Sequence, residues 1–338
     1  MKARTHLESI RDALRTALET DTRTMILGED IEDPYGGAFK ATSGLSTKFP
    51  GRVISTPICE NAIVGTACGM AMRGLRPIAE IMFGDFITLA TDQIVNSATK
   101  FPLMYRGQVE VPLIIRVPMG GGRGYGPTHS QSLEKMFLGV PGLRVVAPSI
   151  FHDPGQLLLE NFRHTQAPIL FVESKLLYPR PLFQADDGLS LTTLDSLGHS
   201  PTAIIRNYSS DKPSDALLIT YGGMSDAAMQ VLKECAADEI RITAIIPSLL
   251  SDPAIFAGWI KLTRPEAPII IVEEGTHGFN WGAEVAAQLH SACPANSRLR
   301  ITRLSTADDI IPASRELEKL AIPGAVQIKS AIIEELSK

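Results

Sequence analysis

Short runs of apolar, mostly β-branched residues recur from residue 24 to residue 304, usually separated by helix-length stretches. Thr24–Leu27, Arg52–Thr56, Arg76–Phe83, Val111–Pro118, Leu143–Ala147 and Ile169–Glu173 make a first series; Ala216–Tyr221, Ile240–Ile246, Pro268–Glu273 and Leu299–Leu304 make a second. Strands that are apolar on both faces belong in sheets covered on both sides, and strands alternating with helical patterns imply parallel order. The pattern therefore predicts an α/β chain of two doubly wound, mostly parallel sheet domains. Leu177–Pro213 breaks the rhythm, being polar and Pro-rich with Ala203–Arg206 as its strand-like run. That break divides the chain into a first domain over 1–190, a linker with a strand-like segment over 191–213 and a second domain over 214–338. A length of 338 residues is enough for two substantial cores.

Between the strands the helical signals are of two kinds. Thr5-x-x-Glu8 has capping-box spacing, and Leu7, Ile10, Leu14 and Leu18 follow at helical intervals. Phe86–Lys100 reads as an amphipathic helix with Ile87, Ala90, Ile94 and Ala98 inward, and Pro154–Arg163 as another helix. In contrast, Glu60 opens NAIVGTACGMAM, small and apolar all round, with Gly65 and Gly69 one turn apart on one face. A helix without a polar face is expected to be buried. Glu60 at its amino end then reads either as a first-turn carboxylate favoured by the helix dipole or as an acid facing a cleft. Gly28-Glu29-Asp30 places an acidic pair at a strand's carboxyl end, as a solvated turn or as part of a site.

The run Gly120-Gly-Gly-Arg-Gly-Tyr-Gly-Pro-Thr-His-Ser-Gln-Ser132 follows the Val111–Pro118 strand, with five glycines in seven positions and Pro127 stiffening the approach to His129. A flexible loop at a strand's carboxyl end with one titratable His suits an active-site loop of an α/β sheet, or else an exposed surface loop. No Gly-Lys-Ser/Thr follows, so a phosphate cradle is the weaker reading. A net charge of −5 with no long basic run argues against nucleic acid. No window offers 18 uncharged apolar residues, so no membrane span is expected, and the charged N-terminus lacks a signal peptide's apolar run. Cys59, Cys68, Cys235 and Cys293 form no CxxC pair and no zinc set, and read as reduced, mostly buried thiols of a cytoplasmic protein.

An ordered series of segments carries a resemblance. Ile26-Leu-Gly-Glu-Asp30, Gly36-Gly-Ala-Phe-Lys40, Arg52-Val-Ile-Ser-Thr-Pro-Ile-Cys-Glu60, Gly74-Leu-Arg-Pro77, Asp92-Gln-Ile-Val-Asn96, His129-Ser-Gln-Ser132 and Pro141-Gly-Leu-Arg-Val-Val146 occur in that order, followed by Thr220-Tyr-Gly222 and Gly282-Ala-Glu284. Together they resemble the beta subunit of the thiamine-diphosphate-dependent decarboxylase component of 2-oxoacid dehydrogenase complexes. That transketolase-like group includes the pyruvate, branched-chain oxoacid and acetoin dehydrogenases. The resemblance implies a pyrimidine-binding domain followed by a transketolase C-terminal domain. It implies that Glu60 hydrogen-bonds the ring nitrogen of the cofactor's aminopyrimidine, as catalytic and cofactor-binding residue. Phe86 matches the aromatic that stacks on that ring, Met82 a neighbouring apolar contact, and His129 a catalytic His near the reacting carbons.

The resemblance also implies what comes from elsewhere. The Gly-Asp-Gly motif that holds magnesium and diphosphate in the family is missing; Gly84-Asp85-Phe86 is a different sequence. Thiamine diphosphate is then shared with an alpha subunit that holds Mg²⁺, in an alpha2beta2 heterotetramer, and this chain supplies no metal ligands. A lipoyl-bearing acyltransferase core and a small-molecule 2-oxoacid complete the expected partners. Departures from the family pattern include Ala62 for a usual Gly, Arg106 for a small residue, an altered Gly278–Trp281 run, and His164 where an Asp helps frame a potassium site. The rival readings are a two-chain transketolase-like enzyme acting on an aldehyde or acetoin, and a non-catalytic scaffold subunit.

Overall fold

A computed structural model describes residues 3–184, 188–194, 199–209, 213–262, 264, 266–293 and 298–338, with the side chains of 253–255 left aside. The first sheet is built from β1 (Thr24–Glu29), β2 (Val53–Thr56), β3 (Arg76–Glu80), β4 (Ile114–Met119), β5 (Arg144–Val146) and β6 (Ile169–Ser174). They lie in the order β2-β1-β3-β4-β6-β5, and every pairing is parallel. The order reverses between β1 and β3, the switch point at which the connections of an α/β sheet diverge and form a crevice outside the strands' carboxyl ends.

The second sheet comprises β7 (Ser190–Leu194), β8 (Thr202–Arg206), β9 (Ala216–Ile219), β10 (Ile242–Pro247), β11 (Ile269–Thr276) and β12 (Ile301–Thr306). Its order is β12-β11-β9-β10-β8-β7, parallel except that β8 runs antiparallel to both β10 and β7. The stretch 191–213 thus contributes β8 and most of β7 to an antiparallel edge, while 195–198 and 210–212 lie outside the described residues. The two sheets are joined by backbone: Ala147 N donates to Ser248 O at 2.8 Å and Leu250 N to Val145 O at 2.9 Å. One apolar cluster runs across both, from Ile87 and Ile115 in the first domain to Leu217, Ile219 and Trp281 in the second.

The first helix spans His6–Thr20 with the Thr5/Glu8 capping box formed in both directions. It buries Ile10, Leu14 and Leu18 and packs on the helix Pro154–His164. Their contact is close enough that a Cβ on Gly155 would come within 2.2 Å of Ser9 O.

Three expectations are corrected. Phe86–Lys100 is not one α-helix: Gly84–Ala90 is a 3-10 segment and Gln93–Ala98 a π-type turn, although Ile87, Ala90, Ile94 and Ala98 all point inward as their spacing demands. The helix Glu60–Met72 buries Ile63, Val64, Ala67, Cys68 and Ala71 but exposes Asn61, Ala62, Thr66 and Gly69 in the single chain. Of the cysteines, Cys68 and Cys235 are buried, Cys59 is exposed and Cys293 is half-buried.

Candidate active site

All strands of the first sheet point the same way, so residues at their carboxyl ends share one edge. β1 ends on Glu29 and β3 on Glu80, either side of the crevice, and Glu60 begins the helix that follows β2. All three carboxylates are buried. Glu29 Oε1 has no hydrogen-bond partner among the described residues. Burial, followed by the fields of Glu60, Asp30 and Glu80, pushes its carboxyl up to about 7. Glu60 is the first residue of the helix Glu60–Met72. The helix amino end beside it favours its negative charge.

Behind this pair lies a buried ion cluster. The fully enclosed guanidinium of Arg116, on β4, pairs with Glu80 and with Glu173 of β6, reaching the latter in a fork: Nε to Oε1 at 2.7 Å and Nη2 to Oε2 at 2.8 Å. Tyr178 Oη donates to Glu173 Oε2 at 2.6 Å. Burial opposes the Arg116 charge, but Glu173 and Glu80 outweigh it and hold the guanidinium protonated. Burial also pushes Glu80 upward against the pull of Arg116. Gly37 lies against this cluster with φ of +80°, and a Cβ there would come 3.0 Å from Glu80 Oε1.

The aromatic wall comes from the turn after β3 and from the Gly-rich loop. Met82 and Phe86 are half-buried there, and the 84–90 segment packs on the Glu60–Met72 helix. The His129 ring stands edge-on to Phe83 at 4.8 Å and to Phe86 at 5.2 Å between centroids. Its Nδ1 is 3.1 Å from Thr128 Oγ1.

The loop is held from three sides. Asp85 Oδ1 accepts from Gln131 N at 3.1 Å and from Gln131 Nε2 at 2.8 Å. Glu274 Oε1 on β11 accepts from Gly121 N at 2.5 Å, and Glu318 Oε2 accepts from Gly124 N at 2.7 Å. Lys175, just past β6, donates from Nζ to His129 O at 2.5 Å. The glycines are needed for this docking: a Cβ on Gly121 would approach Ile322 Cδ1 to 2.5 Å. The second domain therefore fixes a loop that belongs to the first.

Phe86 and His129 are thus brought into ring contact, and Met82 and Glu60 lie at the same edge. Glu29 was legible only as an acidic pair at a strand end. Phe83, Lys175, Asp85 and Arg116 were not singled out; Phe83 closes an apolar run, and the others are charges in strands or turns without a motif of their own. The assembly offers a carboxylate pair, aromatic faces and an imidazole, which can grip a planar heteroaromatic ring and exchange protons beside it.

Residues 3–181 match the family described as "Transketolase, pyrimidine binding domain", and 209–328 match "Transketolase, C-terminal domain". The chain is 31% identical over 332 residues to the "Pyruvate dehydrogenase E1 component subunit beta" of Leifsonia xyli subsp. xyli, covering 98% of this chain and 94% of that protein. It is 31% identical over 338 residues to the "2-oxoisovalerate dehydrogenase subunit beta" of Bacillus subtilis, covering 99% of each. It is also 31% identical to the beta subunit of the acetoin:2,6-dichlorophenolindophenol oxidoreductase of Cupriavidus necator, over 96% of this chain and 94% of that one. Among solved structures, a split-gene transketolase described as an inactive beta4 tetramer superposes with a TM-score of 0.71 at 17% identity, over 98% of both chains, a likeness of fold.

Proposed function

This chain belongs to the transketolase-like family of beta subunits from the decarboxylase component of 2-oxoacid dehydrogenases, and on that premise we propose that it supplies the aminopyrimidine half of a shared thiamine diphosphate site. The partner is an alpha subunit that brings the magnesium and the diphosphate grip, in an alpha2beta2 heterotetramer. The reaction is oxidative decarboxylation of a small 2-oxoacid with acyl transfer to a lipoyl group on an acyltransferase core, in the cytoplasm. The observation that carries the reading is a buried carboxyl, Glu29, whose Oε1 has no hydrogen-bond partner among the described residues and which lies in the field of a second buried carboxylate, Glu60. Buried polar groups are normally satisfied, so a carboxyl oxygen left open there fits a ligand that completes the site.

Thiamine diphosphate, when bound, would supply the carbanion nucleophile and the electron sink that decarboxylation of a 2-oxoacid needs. The chain's own residues do the rest. Glu60 accepts a hydrogen bond at the ring-nitrogen position and passes a proton to or from it, as a positioned carboxyl can. Glu29, with its carboxyl pushed up to about 7, holds a proton beside Glu60 near neutral pH and limits the repulsion between them. Phe86 and Met82 provide the apolar contact that orients the ring and keeps water from its face. His129, with Nδ1 engaged by Thr128, offers Nε2 for a hydrogen bond or a proton where charge develops on the substrate side.

The test is reconstitution. The chain alone is expected to bind magnesium and thiamine diphosphate weakly and to turn over nothing, and the alpha subunit restores both. Calorimetry on the isolated chain decides the shared site: micromolar, magnesium-dependent cofactor binding there sinks it. Lipoamide dependence of the reconstituted pair separates this reading from a transketolase-like transfer to an aldehyde.

A further inference from the structure

Away from the strand ends, Glu160, His164 and His199 each offer one ligand atom, and these atoms all lie within 4.8 Å of one another. Glu160 and His164 are four residues apart near the end of the helix Pro154–His164, so one face carries both. His199 comes from the turn that leads into β8 in the second sheet. The two imidazoles are parallel, 4° between planes and 4.1 Å between centroids. His164 Nε2 is 3.4 Å from Glu160 Oε2, and Arg163 Nη1 holds the other oxygen at 3.0 Å.

The turn is not there by chance of exposure. Asn161, fully buried one residue beyond Glu160, donates from Nδ2 to His199 O at 3.1 Å and to Ser200 Oγ at 3.2 Å. Arg144 Nη2 also reaches Ser200 Oγ, at 3.1 Å. The backbone of His199 is thereby fixed against the helix that carries the other two groups. A cleft of about 390 Å³ opens beside it, lined in part by His152, Asp153, Gln156, Glu160 and His199.

We propose that Glu160, His164 and His199 form a binding site for a divalent transition metal of the zinc class, which clamps His199, just before β8 in the second sheet, to the helix Pro154–His164. Two imidazoles and one carboxylate are a zinc ligand set that leaves a fourth position for water from the cleft. Imidazole nitrogen selects zinc, copper, nickel or cobalt over magnesium, calcium or potassium, which take oxygen ligands. The helix carboxyl end next to His164 adds a favourable field for a cation. Tetrahedral bonds of about 2.1 Å set ligand atoms roughly 3.4 Å apart, so the groups close in on the ion by side-chain rotation; His164, with 47% of its side chain exposed, has room to do so.

The experiment uses the tag-free chain, with Zn²⁺ and Co²⁺ as probes and Mg²⁺ as control. One Zn²⁺ per chain is expected by calorimetry, with a rise in thermal midpoint that Mg²⁺ does not reproduce, and a visible cobalt d–d band without thiolate charge transfer. His164→Ala and His199→Ala should each weaken zinc binding at least tenfold and abolish the thermal shift. Both replace side chains at least partly open to solvent, and circular dichroism confirms that they fold; Glu160→Gln provides a third, milder probe. No zinc binding by the wild-type chain, unchanged affinity in the double His variant, or a thiolate-to-cobalt band would each overturn the site.

Discussion

Lys175 Nζ donates to the backbone carbonyl of His129 at 2.5 Å, so a cation at the end of one central strand sets the position of a loop residue anchored on the next. Lys175 is wholly buried, and burial lowers its pKa while Asp85 and Glu274 pull the other way. A buried ammonium among these groups is a brace for the loop.

Lys175→Met keeps the volume and removes the donor. Stability should fall by about 1.5–3 kcal/mol, the usual cost of losing a charge-assisted hydrogen bond in the interior. Urea denaturation measures the loss. Amide exchange across 126–131 should quicken beyond what global destabilisation explains, and unchanged local protection would mean that Asp85, Glu274 and Glu318 hold the loop without it.

Arg116 pairs with both Glu80 and Glu173. Arg116→Met strands two carboxylates in the interior and should cost about 3–5 kcal/mol. Adding Glu80→Gln and Glu173→Gln to it should recover much of the loss, because neutral amides need no counter-charge. A triple variant no more stable than Arg116→Met alone would mean that packing rather than charge makes the cluster matter.

Glu29 makes stability depend on pH in a defined direction. A carboxyl raised from 4.5 to about 7 binds its proton more tightly in the folded chain. Its contribution is complete below the unfolded pKa and disappears as pH rises through about 7. Glu273, also pushed up to about 7 by burial, acts in the same sense. His6 and His152, pushed down to about 4 by burial, act in the opposite one, losing stability as pH falls below 6.5. The comparison of wild type with Glu29→Gln isolates the first group: between about pH 5 and about pH 8 the variant should lose less stability than wild type. Parallel curves from the two proteins would place Glu29 in water.

The sheets were legible because burial on both faces writes itself as unbroken apolar runs, as in Ala216–Ile219 and Ile269–Val272. The exposed edge strand β7 was not, since Ser190–Leu194 carries mostly exposed side chains and no apolar run. The 84–98 segment kept the inward spacing of a helix while its hydrogen bonding departed from one, a difference to which apolar periodicity is blind. Glu60 and His129 drew notice through position and residue type, each with a structural alternative, and their roles came only from the resemblance. Lys175, Asp85 and Arg116 act through partners 36 to 57 residues away, and nothing local marks such a pairing.

Glu60 and His129 belong to opposite ends of the proposed chemistry, and one reconstituted preparation of each variant can separate them. Glu60→Gln preserves size and a hydrogen bond but removes the ionisable group, so exchange of the cofactor's thiazolium proton for deuterium should slow by about 10²-fold or more. His129→Ala leaves the carboxylate pair intact, and that exchange should stay near the wild-type rate. The order reverses for acyl transfer to a lipoyl group, where His129→Ala should lose far more than it loses in decarboxylation with an artificial electron acceptor. The contact of His129 with Phe83 and Phe86 makes loosening of the aromatic wall the competing explanation. His129→Phe answers it by restoring a ring without a proton to give. Recovery of acyl transfer in His129→Phe would assign the residue to packing, and equal small losses in both reactions would assign it to an exposed loop.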